Sequence, residues 1–83
     1  MQLLYFAWLR QKIGKSGETI DPPAEVATVG DLIAWLKQRG PGYADALKNE
    51  HLVRVAVNRE YVGRHHPLAA GDEIGLFPPV TGG

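Results

Sequence analysis

The chain has 83 residues and equal numbers of acidic and basic side chains, nine of each, so its formal net charge is zero. This length supports one domain with a modest core, and the neutral balance disfavours binding to nucleic acid or to anionic membranes. The absence of cysteine excludes disulfides, thiolate metal ligands and a thiol nucleophile. Because no apolar run is long enough to span a bilayer, we expect a soluble cytoplasmic protein.

The first predicted element is a strand over residues 2–7, a β-rich apolar stretch. Leu3 and Tyr5 fall on one face of this strand, and Leu4 and Phe6 fall on the other. Two apolar faces are typical of a central strand that a helix covers on one side. The second face is expected to be covered at least partly by something else.

Two short elements follow. Residues 8–13 have apolar side chains at helical spacing and end at Gly14, which predicts one or two helical turns. Residues 18–20 are compatible with a short edge strand that stops before Pro22. These elements are expected to flank the first strand.

The main helix is predicted over residues 29–39. Thr28 is a suitable N-cap, and Asp31 lies three residues later in the pattern of a capping box. The helix is expected to end at Gly40. Its apolar stripe, in which Trp35 is interpreted as a core residue, consists of Leu32, Ile33, Trp35 and Leu36.

The C-terminal half is predicted to contain a short helix over residues 43–49 and three strands. Valines alternate with other residues over 53–57, a return strand covers 61–62, and the last strand covers 73–77. The predicted core is Leu3, Tyr5, Leu32, Leu36, Val53, Val55, Val57, Ile74 and Leu76.

This order of elements predicts an α+β fold with one main helix laid across a mixed sheet. We assign residues 1–77 to the folded domain and residues 78–83 to an extended tail. If the first and last strands are parallel neighbours, Phe6 and Phe77 emerge on the face opposite the main helix. Such an apolar surface marks a protein interface, which Tyr61 is expected to join.

The tail has the features of a segment that enters a partner. Pro78 and Pro79 fix φ and favour an extended chain, while Gly82 and Gly83 carry no Cβ and fit a channel too narrow for side chains. The six residues reach about 20 Å when extended. A frayed terminus is the alternative that the tail alone leaves open.

Histidine is the remaining common metal ligand in the chain. His65 and His66 are adjacent, so their side chains point to opposite sides of an extended segment, and His51 is distant in sequence. No metal site is therefore predicted, and the segment around the pair is interpreted as a polar turn before a strand.

Several segments together resemble the MoaD-like sulfur carriers, which are the small subunits of molybdopterin synthase. The likeness covers nearly the whole chain. It rests on residues 71–83, Tyr5-Phe6-Ala7 with Arg10, the helix entry at 28–32, Val57-Asn58 and His66-Pro67-Leu68. Leu76 departs from the pattern, because many members have a second aromatic residue at this position.

The resemblance implies a ubiquitin-like β-grasp fold and a reactive C-terminus. A MoeB-like adenylyltransferase would join the Gly83 carboxylate to AMP, using ATP and magnesium, and a sulfur donor would convert the adenylate to a thiocarboxylate. No cofactor is expected on this chain itself. Two such tails would supply the dithiolene sulfurs of molybdopterin, with cyclic pyranopterin monophosphate as substrate in the MoaE-like large subunit.

In the same mechanism, Gly82 would let the tail pass through a tunnel in the large subunit, and Thr81 and Val80 would pair their main chain with its wall. Pro79 and Pro78 would keep the tail extended, which reduces the entropy lost on insertion. The predicted partner interface consists of Phe77, Phe6, Arg10 at its rim, and Tyr61.

Two alternatives share the diglycine end. A carrier for another pathway, such as the thiamin thiazole carriers, is usually shorter and lacks the Phe-Pro-Pro-Val approach to the tail. A ubiquitin-like modifier also uses an acyl adenylate, but it joins its terminal glycine to lysines as an isopeptide. The tail sequence favours the molybdopterin synthase subunit strongly over the first alternative and less strongly over the second.

Overall fold

A computed structural model describes residues 1–79 of the chain. Five strands form one sheet in the order β2-β1-β5-β3-β4. The strands are β1 Gln2–Tyr5, β2 Gly17–Thr19, β3 Arg54–Val57, β4 Glu60–Val62 and β5 Glu73–Phe77. The helices are α1 Ala7–Ile13, α2 Val29–Lys37 and α3 Pro41–Leu47, followed by a single 3₁₀ turn over Glu50–Leu52.

The centre of the sheet is a parallel pair formed by the first and last strands. Leu3 pairs with Ile74, and Tyr5 pairs with Leu76, so that both strands end at the same edge of the sheet. The other strand pairs, β1 with β2, β3 with β5 and β3 with β4, are antiparallel. The predicted mixed sheet is confirmed, and the first and last strands meet the condition, stated above, under which Phe6 and Phe77 emerge on the outer face.

The core lies between one face of this sheet and the helices. All nine predicted core residues are buried, with Leu3, Leu32 and Leu76 fully inaccessible. The prediction was incomplete, chiefly because it underestimated the short helices α1 and α3, which contribute four further core residues. The additional core residues are Leu9, Ile20, Val29, Ile33, Tyr43, Ala46 and Leu47.

The predicted capping box at the start of α2 is present. The Asp31 backbone N–H donates to the Thr28 hydroxyl at 3.2 Å, and the Thr28 backbone N–H donates to the Asp31 carboxylate at 3.1 Å. The next two helical N–H groups, of Val29 and Gly30, donate to the carbonyls of His66 and Arg64. The polar turn around the two histidines therefore also helps to cap α2 through its backbone.

We expect Thr28→Ala to lower the free energy of unfolding by about 1 kcal/mol, because it leaves an N–H of the first turn without its acceptor. Thr28→Ser keeps the hydroxyl and is the matched control, expected to remain close to wild type. Urea unfolding measures both variants. Equal midpoints for Thr28→Ala and wild type, with unchanged m-values, would contradict a stabilising role for the cap.

The end of α2 differs slightly from the prediction. The helix stops at Lys37, and Gln38 and Arg39 continue with i to i+3 hydrogen bonds that tighten the last turn. Gly40, the predicted stop, also serves as the N-cap residue of α3. Pro41 follows it in the first turn of that helix, where the missing N–H of proline is tolerated. Trp35 is half-buried against the core, as predicted.

None of the three helices in the described part of the chain has the length and apolar character needed to cross a membrane.

Candidate functional site

The base of the tail is set by the central strand pair. β5 ends at Phe77, and Pro78 and Pro79 follow it without regular structure and are half-buried. Neither proline has an N–H to donate to a neighbouring strand, so pairing of β5 stops here. The remaining predicted tail residues, Val80, Thr81, Gly82 and Gly83, lie outside the described residues.

Three aromatic side chains form a cluster on the sheet face opposite the core, beside the base of the tail. The rings of Phe6 and Phe77 are stacked with 4.4 Å between centroids and 6° between planes. The ring of Tyr61 meets that of Phe77 edge-on, with 5.8 Å between centroids. Phe6 is 40% exposed and Tyr61 is 62% exposed, so the cluster forms part of the protein surface. We call Phe6, Tyr61 and Phe77 the aromatic patch.

The backbone explains why Phe6 points away from the core. Tyr5, one residue earlier on β1, is buried, and the alternation of the strand places Phe6 on the opposite side. The Phe6 N–H still donates to the Leu76 carbonyl at 3.2 Å, which continues the pairing with β5. Ala7 then has φ 53°, an uncommon value for a residue with a Cβ, where the chain turns from β1 into α1.

A depression of about 340 Å³ lies beside the aromatic patch on the same face of the sheet. Gly75 and Ala56, which are register partners, contribute the small residues of its lining. Arg59 and Glu73 also line it and approach each other to 4.0 Å. The outer face therefore presents an apolar surface with charges at one edge.

Two further depressions meet at Pro79. One, of about 310 Å³, has Trp8 and Leu52 among its apolar lining residues. The other, of about 330 Å³, includes three basic side chains, His51, Arg54 and Arg64. This basic group was not predictable from the sequence, because its members lie on separate parts of the fold. Pro79 therefore lies between the two depressions, of which the first also has Lys12, Asp45 and Lys48 in its lining.

Arg10, which was predicted at the rim of the patch, is exposed on α1. Its contact with a partner stays a prediction.

Glu18 is the polar centre that the sequence analysis missed. Its side chain is only 12% exposed and accepts hydrogen bonds from the hydroxyls of Tyr5 and Tyr43, at 2.7 and 2.6 Å, and from the guanidinium of Arg39 at 3.0 Å. Burial by itself raises the pKa of this carboxyl, but the hydrogen bonds from Tyr43, Tyr5 and Arg39 outweigh it and lower the pKa to about 2. Burial and the neighbouring carboxylate raise the pKa of Tyr5.

The only available sequence signal for this centre was the presence of two tyrosines at apolar positions, since a buried hydroxyl needs a partner. The Glu18 network joins β2 to β1, to the turn that follows α2 and to α3, on the core side of the sheet. It stabilises the body of the domain and is not part of the aromatic patch.

Within residues 1–79, no group of three histidine, aspartate or glutamate side chains is arranged to hold a metal ion. The candidate site therefore consists of the aromatic patch, the depressions beside it and the base of the tail.

Comparison with known proteins gives the same fold and a family. A model described as the ThiS family matches residues 3–83. The molybdopterin synthase sulfur carrier subunit of Escherichia coli is 36% identical over 83 residues, which cover 100% of this chain and 99% of that protein. The corresponding subunit of Dictyostelium discoideum is 37% identical, and the match covers 99% of this chain and 94% of that protein.

Solved structures agree. The crystal structure of SAMP1 from Haloferax volcanii, 33% identical, superposes with a TM-score of 0.75 and covers 100% of this chain and 98% of that one. A complex of subunits 1 and 2 of molybdopterin-converting factor from Helicobacter pylori contains a chain that is 27% identical, with a TM-score of 0.63 and coverage of 99% and 96%. The ubiquitin-like fold is thus confirmed, and the chain belongs to the ThiS family, whose members similar to it include sulfur carrier subunits of molybdopterin synthase.

Proposed function

We propose that this chain is the sulfur-carrier subunit of a molybdopterin synthase and that the Gly83 carboxylate carries the sulfur. The observation that supports this most strongly is the end-to-end match with curated sulfur carrier subunits at 36 to 37% identity. The family match extends through residue 83, so it includes the diglycine end. The chain has no cysteine, so no thiol side chain is available to carry the sulfur instead.

The chemistry follows from the properties of a carboxylate. A terminal carboxylate has a pKa of ~3.5, so it is ionised at neutral pH and is a poor electrophile. An adenylyltransferase of the MoeB type would join it to the α-phosphorus of ATP, with magnesium on the phosphates and release of pyrophosphate. Sulfur at the oxidation level of hydrosulfide then attacks the acyl carbon, and AMP leaves. The product is a thiocarboxylate with a nucleophilic sulfur.

The small size of the chain bears on which subunit holds the substrate pocket. The depressions described in residues 1–79 lie around the aromatic patch and the base of the tail. We therefore place the pocket for cyclic pyranopterin monophosphate in the large subunit, MoaE-like. Two tails, each ending in a thiocarboxylate, would each deliver one sulfur there. Water would then regenerate the carboxylate at each Gly83.

The tail residues have separate parts in this proposal. Pro78 and Pro79 hold the tail extended, so less conformational entropy is lost on insertion. Thr81 and Val80 offer main-chain hydrogen bonds to the tunnel wall, and Gly82 leaves the tunnel free of side chains.

The aromatic patch is proposed as the contact surface for the large subunit, with Arg10 at its edge. An exposed aromatic cluster is the kind of anchor that carries much of the binding energy in protein interfaces. The known pairing of subunits 1 and 2 in the Helicobacter pylori complex supports a two-subunit assembly. In this proposal the recognition surface lies next to the segment that delivers sulfur, because Phe77 directly precedes the prolines.

We expect Phe77→Ala to weaken binding of the large subunit by more than ~1 kcal/mol, because it removes the ring that contacts both other members of the patch. Isothermal titration calorimetry with the purified large subunit measures the effect. Phe77→Leu, which keeps an apolar side chain, is expected to lose less affinity. Unchanged affinity of Phe77→Ala would reject this position for the interface.

A second candidate function has a specific observation in its favour. Small archaeal modifier protein 1 of Haloferax volcanii is 33% identical to this chain over 88 residues. A modifier would end as an isopeptide on lysine side chains of other proteins, whereas a carrier would end as a free thiocarboxylate. Mass spectrometry of tryptic peptides from the native cells separates the two. Trypsin cuts this chain last after Arg64, so only the modifier leaves residues 65–83 attached to lysines of other proteins.

A further inference from the structure

Gly75 lies in the middle of β5, on the outer face of the sheet. Its register partners are Leu4 on β1 and Ala56 on β3. Phe77 lies two residues later on the same face, because strand side chains alternate. Gly75 is nevertheless buried. Because glycine has no side chain to cover its own backbone, neighbouring residues must cover the backbone at this point.

The rings of Phe77 and Phe6 cover it. A Cβ added to Gly75 would lie 2.7 Å from Cε1 and 3.0 Å from Cζ of Phe77, and 3.6 Å from Cε2 of Phe6. Carbon atoms that are not bonded normally approach to about 3.5 to 4.0 Å. The Phe77 ring thus occupies the space that any other residue at position 75 would fill.

The backbone of Gly75 does not itself require glycine. Its φ is outside the left-handed region in which Gly14, Gly40 and Gly71 are found. The reason for glycine here is therefore steric, and it concerns the rings rather than the strand.

We propose that Gly75 is a positioning residue for recognition of the large subunit: by lacking a Cβ, it lets the Phe77 ring lie against the sheet and stack on Phe6. The ring position in turn sets the edge contact with Tyr61 and the shape of the depression beside the patch. This inference rests on the proposed function, because the occupant of the surface is the large subunit of the synthase.

The expected consequence of Gly75→Ala is local. The clashing atoms are the far end of the Phe77 side chain, so the ring can tilt away while β5 keeps its hydrogen bonds. The stacked pair opens, and the large subunit meets a patch of altered shape. We expect the affinity to fall about fivefold, in the range of a disturbed interface anchor.

A double-mutant cycle measured by calorimetry with the large subunit tests the inference. Gly75→Ala is expected to weaken binding about fivefold when Phe77 is present and to have no effect in the Phe77→Ala background, where no ring remains to be displaced. Gly63→Ala is the matched control, because a Cβ at Gly63 has nothing within 4 Å, and it is expected to bind like wild type. An equal loss in both backgrounds, or no loss in either, overturns the inference.

A second measurement needs no partner. In the isolated chain, nuclear Overhauser contacts between the rings of Phe6 and Phe77 are expected in wild type and in Gly63→Ala, and they should be lost or weakened in Gly75→Ala. Retention of the stack in Gly75→Ala contradicts the role of Gly75. If the wild-type chain shows the stack but does not bind the large subunit, the proposed function fails and the recognition role fails with it, while the ring geometry stands.

Discussion

Deletion of Gly83, or addition of one residue after it, is expected to abolish sulfur transfer. Either change moves the terminal carboxyl by about 3.3 to 3.6 Å along the tail. Misplacement of a reacting group by even ~1 Å can cost about a hundredfold in rate, so the expected loss is at least of that size. An added side chain would also enter the part of the tunnel that we propose is shaped for glycine.

The measurement is molybdopterin formation with the large subunit, the activating enzyme, ATP, magnesium and a sulfur source. The unfolding midpoints of both tail variants are expected to equal that of wild type, which separates the chemistry from folding. An extension at the N-terminus is less suitable as a control for chain length. It would remove the Met1 ammonium, which donates a hydrogen bond to the Ile20 carbonyl. An extended protein that is active, and whose mass shows that it was not trimmed, would contradict the carrier function.

Of the variants proposed here, Glu18→Gln is expected to lower the free energy of unfolding the most. Glu18→Gln removes the charge that Tyr5, Tyr43 and Arg39 surround. The folded-state pKa of about 2 lies below the ordinary pKa of a glutamate, 4.5, so ionisation of Glu18 stabilises the fold above pH ~5. At 1.36 kcal/mol per pKa unit, this contribution is about 3 kcal/mol.

This contribution should disappear as the pH falls. A group with a lowered folded-state pKa loses its stabilisation as pH decreases toward that pKa, here between pH ~5 and ~2. Urea unfolding at several pH values is expected to show wild type about 3 kcal/mol more stable than Glu18→Gln at pH 7 and within about 0.5 kcal/mol of it at pH 2. Glu25→Gln, a change of an exposed carboxylate, is the control. A stability difference that is the same at pH 7 and pH 2 would contradict the charge-dependent role of Glu18.

Much of the fold was predictable because its signals are periodic and local. The alternating valines of β3 and the capping box of α2 each depend on residues within a few positions of one another. The central position of β1 was also predictable, because its residues are apolar on both faces. Its parallel pairing with β5 entered only as a condition, which the structure meets. These features place Phe6 and Phe77 together on the outer face.

The missed features depend on residues that are distant in sequence. Glu18 lies on a short edge strand, and nothing near it in the chain shows that Tyr43 and Arg39 will converge on it. The basic depression beside Pro79 likewise combines side chains from separate elements. Gly75 is a different case. A glycine in a strand does not by itself indicate a role, and the reason for it becomes visible only when the position of the Phe77 ring is known.

The most direct test of the carrier function is the mass of the chain after charging. The purified protein is incubated with its adenylyltransferase, ATP, magnesium and a sulfur donor, and its C-terminal fragment is then analysed by mass spectrometry. Oxidation of Met1 also adds about 16 Da, so the gain must be localised to the fragment that contains Gly83. The chain lacking Gly83 serves as the control.

We predict a gain of about 16 Da on the C-terminal fragment of wild type, which corresponds to sulfur in place of oxygen at Gly83, and no gain in the shortened chain. An unchanged C-terminal fragment under conditions in which the same mixture forms the acyl adenylate would contradict the central claim that this tail carries sulfur.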